Sequence, residues 1–194
     1  MATPFTNVHA HIFDSSCAPD CFLKVIPSGL IRRFPNTLKK MFESKTGRNV
    51  IQFIGKLYPQ SSRTRKGIER YVAFLNVGLE VSQLNIFQKA LEAGLRYDSS
   101  VRIVGLTLNM DFMDTKPSQR MKSFSTQLAE VMRIKEYYPD NFFPFLGVSP
   151  QHFSGQALAD WAESYFSKGV TVNGKVYPYF YGIKLYPALG FFPF

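Results

Sequence analysis

The stretch FTNVHAHIF, residues 5–13, decides how the rest of the chain is interpreted. Apolar and polar side chains alternate along it, which is the period-two pattern of a β-strand. Residues 14–16, Asp-Ser-Ser, favour turns and are predicted to end the strand. Because side chains two apart in a strand point to one face, His9 and His11 are predicted to lie side by side.

Helix-like and strand-like segments alternate beyond residue 66. The spacing of apolar residues predicts helices at 66–95, 118–138 and 155–168, and further strands at 101–109, 142–148 and 180–186. These three strands start about 40 residues apart, a spacing that suits successive strand–helix units. The alternation predicts an α/β fold of parallel strands joined by crossover helices.

The segment between the first strand and the first long helix is broken up by prolines and glycines. It covers residues 15–66, and short helices are predicted at 36–44 and 47–57. We interpret this segment as a long insertion after the first strand, inside a single domain of residues 1–194.

The composition describes a globular chain with an excess of positive charge. Of its 194 residues 45% are hydrophobic and 19 are Phe, which is enough for a sizeable core and too aromatic for a disordered chain. The net charge of +9 has three explanations: a nucleic-acid or anionic partner, a solvated basic face, or a missing acidic part. Lysines and arginines are spread out without a nucleic-acid-binding motif, so no nucleic-acid partner is expected.

Cysteine usage and hydropathy predict a cytoplasmic protein. Cys17 and Cys21 are the chain's two cysteines, and neither their number nor their spacing suggests a disulfide framework or a four-ligand zinc site. We expect free thiols in a reducing compartment. The first residues lack the features of a signal peptide, and no apolar stretch of about 18 residues predicts a membrane span.

His9 and His11 are the candidate metal ligands. Imidazole is a common ligand of zinc and similar ions, and two rings on one face of a strand can reach one ion. The alternative is a pair of ordinary hydrogen-bonded core histidines. Two of the chain's three histidines fall in this one strand, directly before the acidic turn at Asp14, and we therefore favour the metal role.

Lys184 is the second candidate, within the sequence GIKLYP at 182–187. If Ile183 and Leu185 pack on helices, period two turns Lys184 towards the interior. Three roles remain open for it: carboxylation by carbon dioxide to bridge two metal ions, a cation that holds an acidic substrate, or an amine that reaches solvent at the strand end. Tyr186 shares its face and is a candidate substrate-binding residue.

Weaker signals follow the second and third strands. Asp111 and Asp114 come after the second strand, where a barrel enzyme places substrate-binding groups. Such residues more often cap a turn or a helix. We keep Asp111 as a candidate for substrate contact. His152 follows the third strand, and we favour a solvent-exposed loop histidine there.

Three segments together resemble amidohydrolase-superfamily barrels, most closely the amidohydrolase-related branch, amidohydrolase 2. NVHAHIF at 7–13 resembles the first strand, LTLNMD at 106–111 is similar to the second strand and its loop, and GIKLYP at 182–187 is similar to the fourth. The lysine context also resembles the strand of dihydroorotase-like members that carries a carboxylated lysine. The resemblance implies a TIM-barrel-type (β/α)8 fold, of which this chain holds about the first four strand–helix units.

The resemblance also implies a chemistry. It implies one or two divalent ions, zinc above all, with His9, His11 and a carboxylated Lys184 as ligands, and a metal-activated water that attacks an amide, lactone or ester carbonyl of a small molecule. Some members instead decarboxylate aromatic or unsaturated acids. Members also supply histidines from strands five and six and an aspartate base from strand eight. None can be matched here, so the base is expected beyond residue 194.

We therefore expect a truncated chain, a gene fragment or a domain of a longer protein, inert or nearly so alone. Two other classes of function stay open. One is a non-catalytic half-barrel for binding or assembly, with a homodimer formed through its open sheet edges. The other is a nucleic-acid-binding protein, suggested by charge alone. A metal analysis separates the hydrolase from both, and a salt-dependent nucleic-acid binding assay isolates the last.

Overall fold

A computed structural model describes residues 6–17, 82–111, 122–151, 153 and 155–186. Within these ranges the strands are β1 Thr6–His11, β2 Arg102–Leu106, β3 Phe142–Val148, β4 Gly169–Val172, β5 Lys175–Pro178 and β6 Gly182–Leu185. The helices are α1 Gln83–Leu95, α2 Phe124–Tyr137 and α3 Gly155–Phe166, and a 3-10 turn covers Ser15–Cys17.

Four of these strands form one parallel sheet in the order β1-β2-β3-β6. Each neighbouring pair is parallel, and α1, α2 and α3 lie between successive strands along the chain. The predicted α/β class and the sequence order of the parallel strands are therefore confirmed. A bulge or irregularity between Asn7 and Ala10 interrupts the register of β1 with β2.

The sheet curls into a half-barrel with one concave face. His11 lies on β1 and Tyr186 directly follows β6, which is three strands away in the sheet. In a flat sheet three strand spacings amount to about 14 Å. The ring centroids of His11 and Tyr186 are only 6.2 Å apart, so the face that carries both rings is the concave one. This shape is compatible with part of a TIM-type barrel.

The opposite face of the sheet packs against the helices and forms the main core. Its buried members include Phe87, Leu128 and Val131 from helices and Ile103, Phe142 and Leu146 from strands. The ring of Phe142 lies 4.7 Å from that of Phe87. An added Cβ at Gly105 would come within 2.2 Å of the Phe142 ring, so this position accepts only glycine. Alternate residues of β2 and β3 are thus committed to the core, which leaves the other set for the concave face.

Two predicted helices were wrong at their amino ends. The helix predicted at 66–95 cannot be continuous, because Ser82 is extended and its side chain accepts a hydrogen bond from the backbone N–H of Asn85 at 3.3 Å. In the same way, α2 begins at Phe124 rather than at 118, with Ser123 as its N-cap. In both places a serine oxygen satisfies a first-turn N–H group that would otherwise be unpaired, and this fixes the helix start.

Other boundaries differ less. β1 and β2 end at His11 and Leu106 rather than at 13 and 109, α3 ends at Phe166 rather than at 168, and β3 covers 142–148 as predicted. The helices predicted at 36–44 and 47–57 lie outside the described residues. Within the part of the chain that is described, no helix is long and apolar enough to cross a bilayer.

A hairpin that the sequence analysis missed lies between α3 and β6. β4 and β5 pair in antiparallel fashion around Asn173-Gly174. Both turn residues have positive φ, 52° and 76°. Positive φ at both positions is what a type I′ hairpin turn requires, and Asn-Gly is a favoured pair for it. The hairpin explains why the fourth strand of the parallel sheet is the sixth of the described strands.

Candidate functional site

His9 and His11 bring their rings together on the concave side of β1. Their Nε2 atoms are 3.1 Å apart, and the ring centroids are 4.9 Å apart at an interplanar angle of 76°. His9 is exposed and His11 is half-buried, so the pair extends from solvent towards the interior. The structure places both rings on one side, as strand periodicity predicts. Their role as metal ligands stays a prediction.

Burial keeps the His11 ring neutral. Desolvation is the main cause that lowers the pKa of His11 from 6.5 to about 4, and the nearby charges of His9 and Lys184 lower it further. At neutral pH one ring nitrogen of His11 is therefore unprotonated. A neutral imidazole is the form that binds a metal ion.

The other ring nitrogen of His11 is buried without a hydrogen-bond partner. Nδ1 finds no donor or acceptor among the residues that the structure describes. An unsatisfied buried polar atom costs about 1–3 kcal/mol, and in a folded protein it marks a place where water, an ion or a ligand completes the site. A metal-bound histidine usually donates this second nitrogen to a carboxylate or carbonyl, and the described ranges offer His11 no such acceptor.

Lys184 and Tyr186 lie on the same concave face as the histidines. Lys184 pairs in register with Gly147 of β3. Its Nζ lies 5.4 Å from the centroid of the Tyr186 ring, which in turn faces the His11 ring. The structure therefore brings together the four candidates that the sequence places at the ends of the first and last strands of the sheet.

The neighbours of Lys184 point to the helix side of the sheet but are not covered there. Ile183 pairs in register with the buried Leu146, and Leu185 with Val148. Nevertheless Ile183 is 51% exposed and Leu185 is 44% exposed. The expectation that both pack closely against helices is wrong for the described residues, because about half of each side chain is exposed.

An apolar cluster lies next to the His11 ring. It consists of Phe13, Cys17, Leu108 and Met110, with Tyr186 packed against them. Burial, followed by the negative charge of Asp14, raises the pKa of the Cys17 thiol to about 11. The thiol is therefore protonated and unreactive at neutral pH. Cys17 is a free cysteine, as expected. Cys21 lies outside the described residues.

Asp14 anchors the end of β1 to the start of α2. Its carboxylate accepts hydrogen bonds from the Ser16 backbone N–H at 2.8 Å and from the Ser16 hydroxyl, and it pairs with Lys122 Nζ at 2.8 Å. Lys122 also pairs with Glu130 at 2.8 Å. Desolvation opposes the charge of Lys122, but the hydrogen bonds that its ammonium donates to the two carboxylates outweigh desolvation and raise the pKa of Lys122.

Both oxygens of Asp14 are thus occupied, and the residue ties the end of β1 to Lys122. The sequence indicated an acidic turn here, but it gave no sign of the partner. Lys122 is 108 residues away along the chain, and no local pattern links the two.

Asp111 caps α2. Both carboxylate oxygens accept the backbone N–H of Phe124 at 3.0 Å. A negative charge at this end of a helix is stabilised by the helix dipole. This is the capping role that sequence reasoning gave as the commoner alternative, and contact with a substrate stays a prediction. Asp114 and His152 lie outside the described residues.

Comparisons of this chain with protein-family models, with curated proteins and with solved structures found no match. In the ranges that the structure covers, no group of three or more His, Cys, Asp or Glu side chains is placed to hold a metal ion. The candidate site therefore rests on its own geometry: two imidazoles, one of them neutral, beside a lysine and a tyrosine on a concave parallel sheet.

Proposed function

We propose that His9 and His11 are two of the ligands of a divalent metal in a metal-dependent hydrolase, built on about four strand–helix units of a TIM-type barrel. The observation that carries the proposal is the 3.1 Å separation of the two Nε2 atoms. Two imidazole nitrogens at this distance share either a proton or a cation. The neutral state of His11 leaves a nitrogen available for a cation.

Zinc fits this pair of nitrogens. Zinc–imidazole bonds are about 2.0–2.1 Å long. Two nitrogens 3.1 Å apart can both lie at that distance from one ion, with about 100° between the bonds, close to the tetrahedral angle that zinc prefers. The alternative is a hydrogen bond between the two Nε2 atoms, which requires a similar distance and involves no metal.

Bound zinc would supply a water with a pKa near about 7 and would polarise a substrate carbonyl. The chain's own residues set the conditions for this. The half-buried His11 stays neutral, and His9 lies at the solvent side, where a small molecule arrives. The ion pair of Asp14 with Lys122 ties the end of β1 to α2, which keeps the two rings at their spacing. Amide, lactone and ester carbonyls are the proposed substrate groups.

A second candidate function, an assembly module, is favoured by the outer side of β6. Ile183 and Leu185 are substantially exposed, and within the described residues the outer edge of β6 pairs with no strand. Unpaired edges and exposed apolar side chains promote association between copies. Analytical ultracentrifugation of the wild type and of Ile183→Lys tests this idea. A dimer that the substitution dissociates supports assembly, and a wild type that stays monomeric contradicts it.

Zinc binding tests the hydrolase proposal. Zinc chloride is titrated into metal-free protein at pH 7 by calorimetry, for the wild type and for His9→Ala and His11→Ala. Each substitution should weaken binding at least about tenfold, or about 1.4 kcal/mol, because a single imidazole remains. His152→Ala removes the chain's third histidine and is the matched control, with an affinity expected to stay within about twofold.

Equal losses in all three variants would assign the zinc to scattered surface binding and contradict the proposal. A wild type that binds no zinc would contradict it as well. With zinc or manganese bound, we expect little or no turnover on amide, lactone and ester panels, since the resemblance implies further ligands and a base that cannot be matched in this sequence. Robust turnover that His9→Ala abolishes would correct that expectation and strengthen the hydrolase assignment.

A further inference from the structure

We propose that Asn173, in the turn of the β4–β5 hairpin, is a site of spontaneous covalent modification. Its side-chain amide is lost to water, and one of the products, isoaspartate, lengthens the backbone of the turn and releases the hairpin from its contacts. The residues of this hairpin take no part in the candidate metal site, so the inference is independent of the proposed function.

The residue that follows Asn173 leaves its amide open to attack. Asn173-Gly174 is the one Asn-Gly pair in the sequence, and both residues are exposed. Apart from the chain neighbours of Gly174, no atom of the described residues lies within 4 Å of the point where its Cβ would stand. Because glycine has no Cβ, its backbone nitrogen is the least hindered nucleophile that a chain can place after an asparagine.

The reaction needs water and no other reactant. The backbone nitrogen of Gly174 loses its proton and bonds to the Cγ carbon of Asn173, while the C–N bond of the side-chain amide breaks and ammonia leaves. The product is a cyclic imide. Water then opens the imide at either of its two carbonyl carbons, which gives aspartate with the normal backbone or isoaspartate with the backbone running through the former side chain. No atom changes its oxidation state, and each product carries one new carboxylate.

The hairpin allows the turn to open for this attack. The hydrogen bond of a β-turn joins the C=O of its first residue to the N–H of its last, here Val172 and Lys175, so it does not use the nitrogen of Gly174. β4 and β5 have four residues each. A two-stranded hairpin is marginally stable by itself in water, so the turn opens locally without unfolding of the sheet.

Other described asparagines are held more firmly. The side chain of Asn141 donates a hydrogen bond to the carbonyl of Val101 at 2.9 Å, and the next residue is the fully buried Phe142. Asn109 is 4% exposed, and its side-chain oxygen accepts the backbone N–H of Asp111 at 3.2 Å. We therefore expect the modification at Asn173 rather than at these two positions.

Isoaspartate changes the hairpin because it lengthens a turn that is fixed at two residues. Val172 pairs with Lys175 directly beside the turn, and a longer link no longer fits this register. β5 also carries the buried Tyr177, whose hydroxyl donates to Asp140 at 3.0 Å. The ring of Tyr177 lies 5.3 Å from Nζ of the buried Lys135 on α2. A shift of β5 therefore withdraws Tyr177 from the two groups that hold the hairpin against α2 and the start of β3.

Incubation of the full chain in mildly alkaline buffer tests the site, with peptide mapping by mass spectrometry as the measurement. Trypsin cuts after lysine, so Asn173 falls in the peptide 169–175 and Asn141 in the peptide 136–168. Conversion to aspartate and isoaspartate should be at least about tenfold faster at Asn173 than at Asn141, which is a barrier lower by about 1.4 kcal/mol.

Hydrogen exchange of the separated products tests the consequence. Backbone amides of 169–178 should exchange at least about tenfold faster in the isoaspartate form than in the unmodified chain, whereas those of α1 should not change. Asn173→Asp is the matched control, because it adds the same charge without lengthening the backbone and Asp-Gly also suits the I′ turn. Its hairpin amides should exchange within about twofold of the wild type.

Conversion at Asn173 that is no faster than at Asn141 overturns the proposed site. An isoaspartate form whose hairpin exchanges like that of the unmodified chain overturns the release of the hairpin, as does faster exchange that extends to α1. Equally fast exchange in Asn173→Asp assigns the effect to the new charge and overturns the argument from backbone length. Fast conversion at Asn173, with exchange that rises in the hairpin of the isoaspartate form alone, supports the proposal.

Discussion

Asp14→Asn should destabilise the fold by about 2 kcal/mol. Asparagine can still accept the Ser16 N–H in the turn, so the loss falls on the 2.8 Å ion pair with Lys122. Removing one partner of a fully buried pair costs about 3–5 kcal/mol. The cost here is smaller, because the Lys122 side chain is 27% exposed and keeps its second pair with Glu130. For a chain of this size that loss lowers Tm by about 4–8 °C.

The assay is urea unfolding at pH 7 followed by circular dichroism, and the chain offers a matched control. Ser16→Ala removes the hydroxyl whose hydrogen bond Asp14 accepts in the turn and leaves the ion pair with Lys122 in place. Ser16→Ala should cost about 1 kcal/mol or less. Equal destabilisation by the two substitutions would refute the reasoning, because the turn rather than the ion pair would then carry the energy.

Three further predictions concern stability. Desolvation lowers the pKa of the buried Lys135 to about 8, so between pH 8 and 10.5 the unfolded chain binds more protons than the folded chain. The unfolding free energy of the wild type relative to Lys135→Met should therefore rise by about 2–3 kcal/mol across this range; a falling or flat difference in urea titrations at the two pH values would be inconsistent with a lowered pKa. Gly147→Ala should cost about 1–3 kcal/mol in the same assay, because its Cβ meets the rigid Thr107 carbonyl, and a neutral effect would argue against this strand register. Gly174→Ala should cost about 1 kcal/mol through its positive φ, and stabilisation would contradict the I′ turn.

The parallel sheet could be predicted from the sequence because its two middle strands are largely buried and helices separate its strands along the chain. Mainly apolar runs at 101–109 and 142–148 indicate strands covered on the helix side, and the structure pairs the two strands in parallel. The hairpin was missed although Asn173-Gly174 is a strong turn signal, because its strands have only four residues each, too few for a period-two pattern to stand out. Helix starts at Ser82 and Ser123 were missed because apolar spacing continued past them, while capping serines set the true ends.

The candidate site, like the fold, could be predicted from the sequence only in part. Local period two is enough to predict that His9 and His11 share a face and that Lys184 points away from Ile183. Curvature of the sheet is not a local property, and the approach of Tyr186 to His11 depends on it. The partner of Asp14 is equally beyond local patterns, because chain folding alone brings Lys122 to it.

Anomalous diffraction at the zinc edge, from crystals grown with zinc, tests the central claim most directly. The account predicts a peak between His9 and His11 at about 2.0–2.1 Å from both Nε2 atoms. The two Nε2 atoms already lie 3.1 Å apart, so little movement is needed. A peak bound to other residues, with the two imidazoles still hydrogen-bonded to each other, would contradict the account.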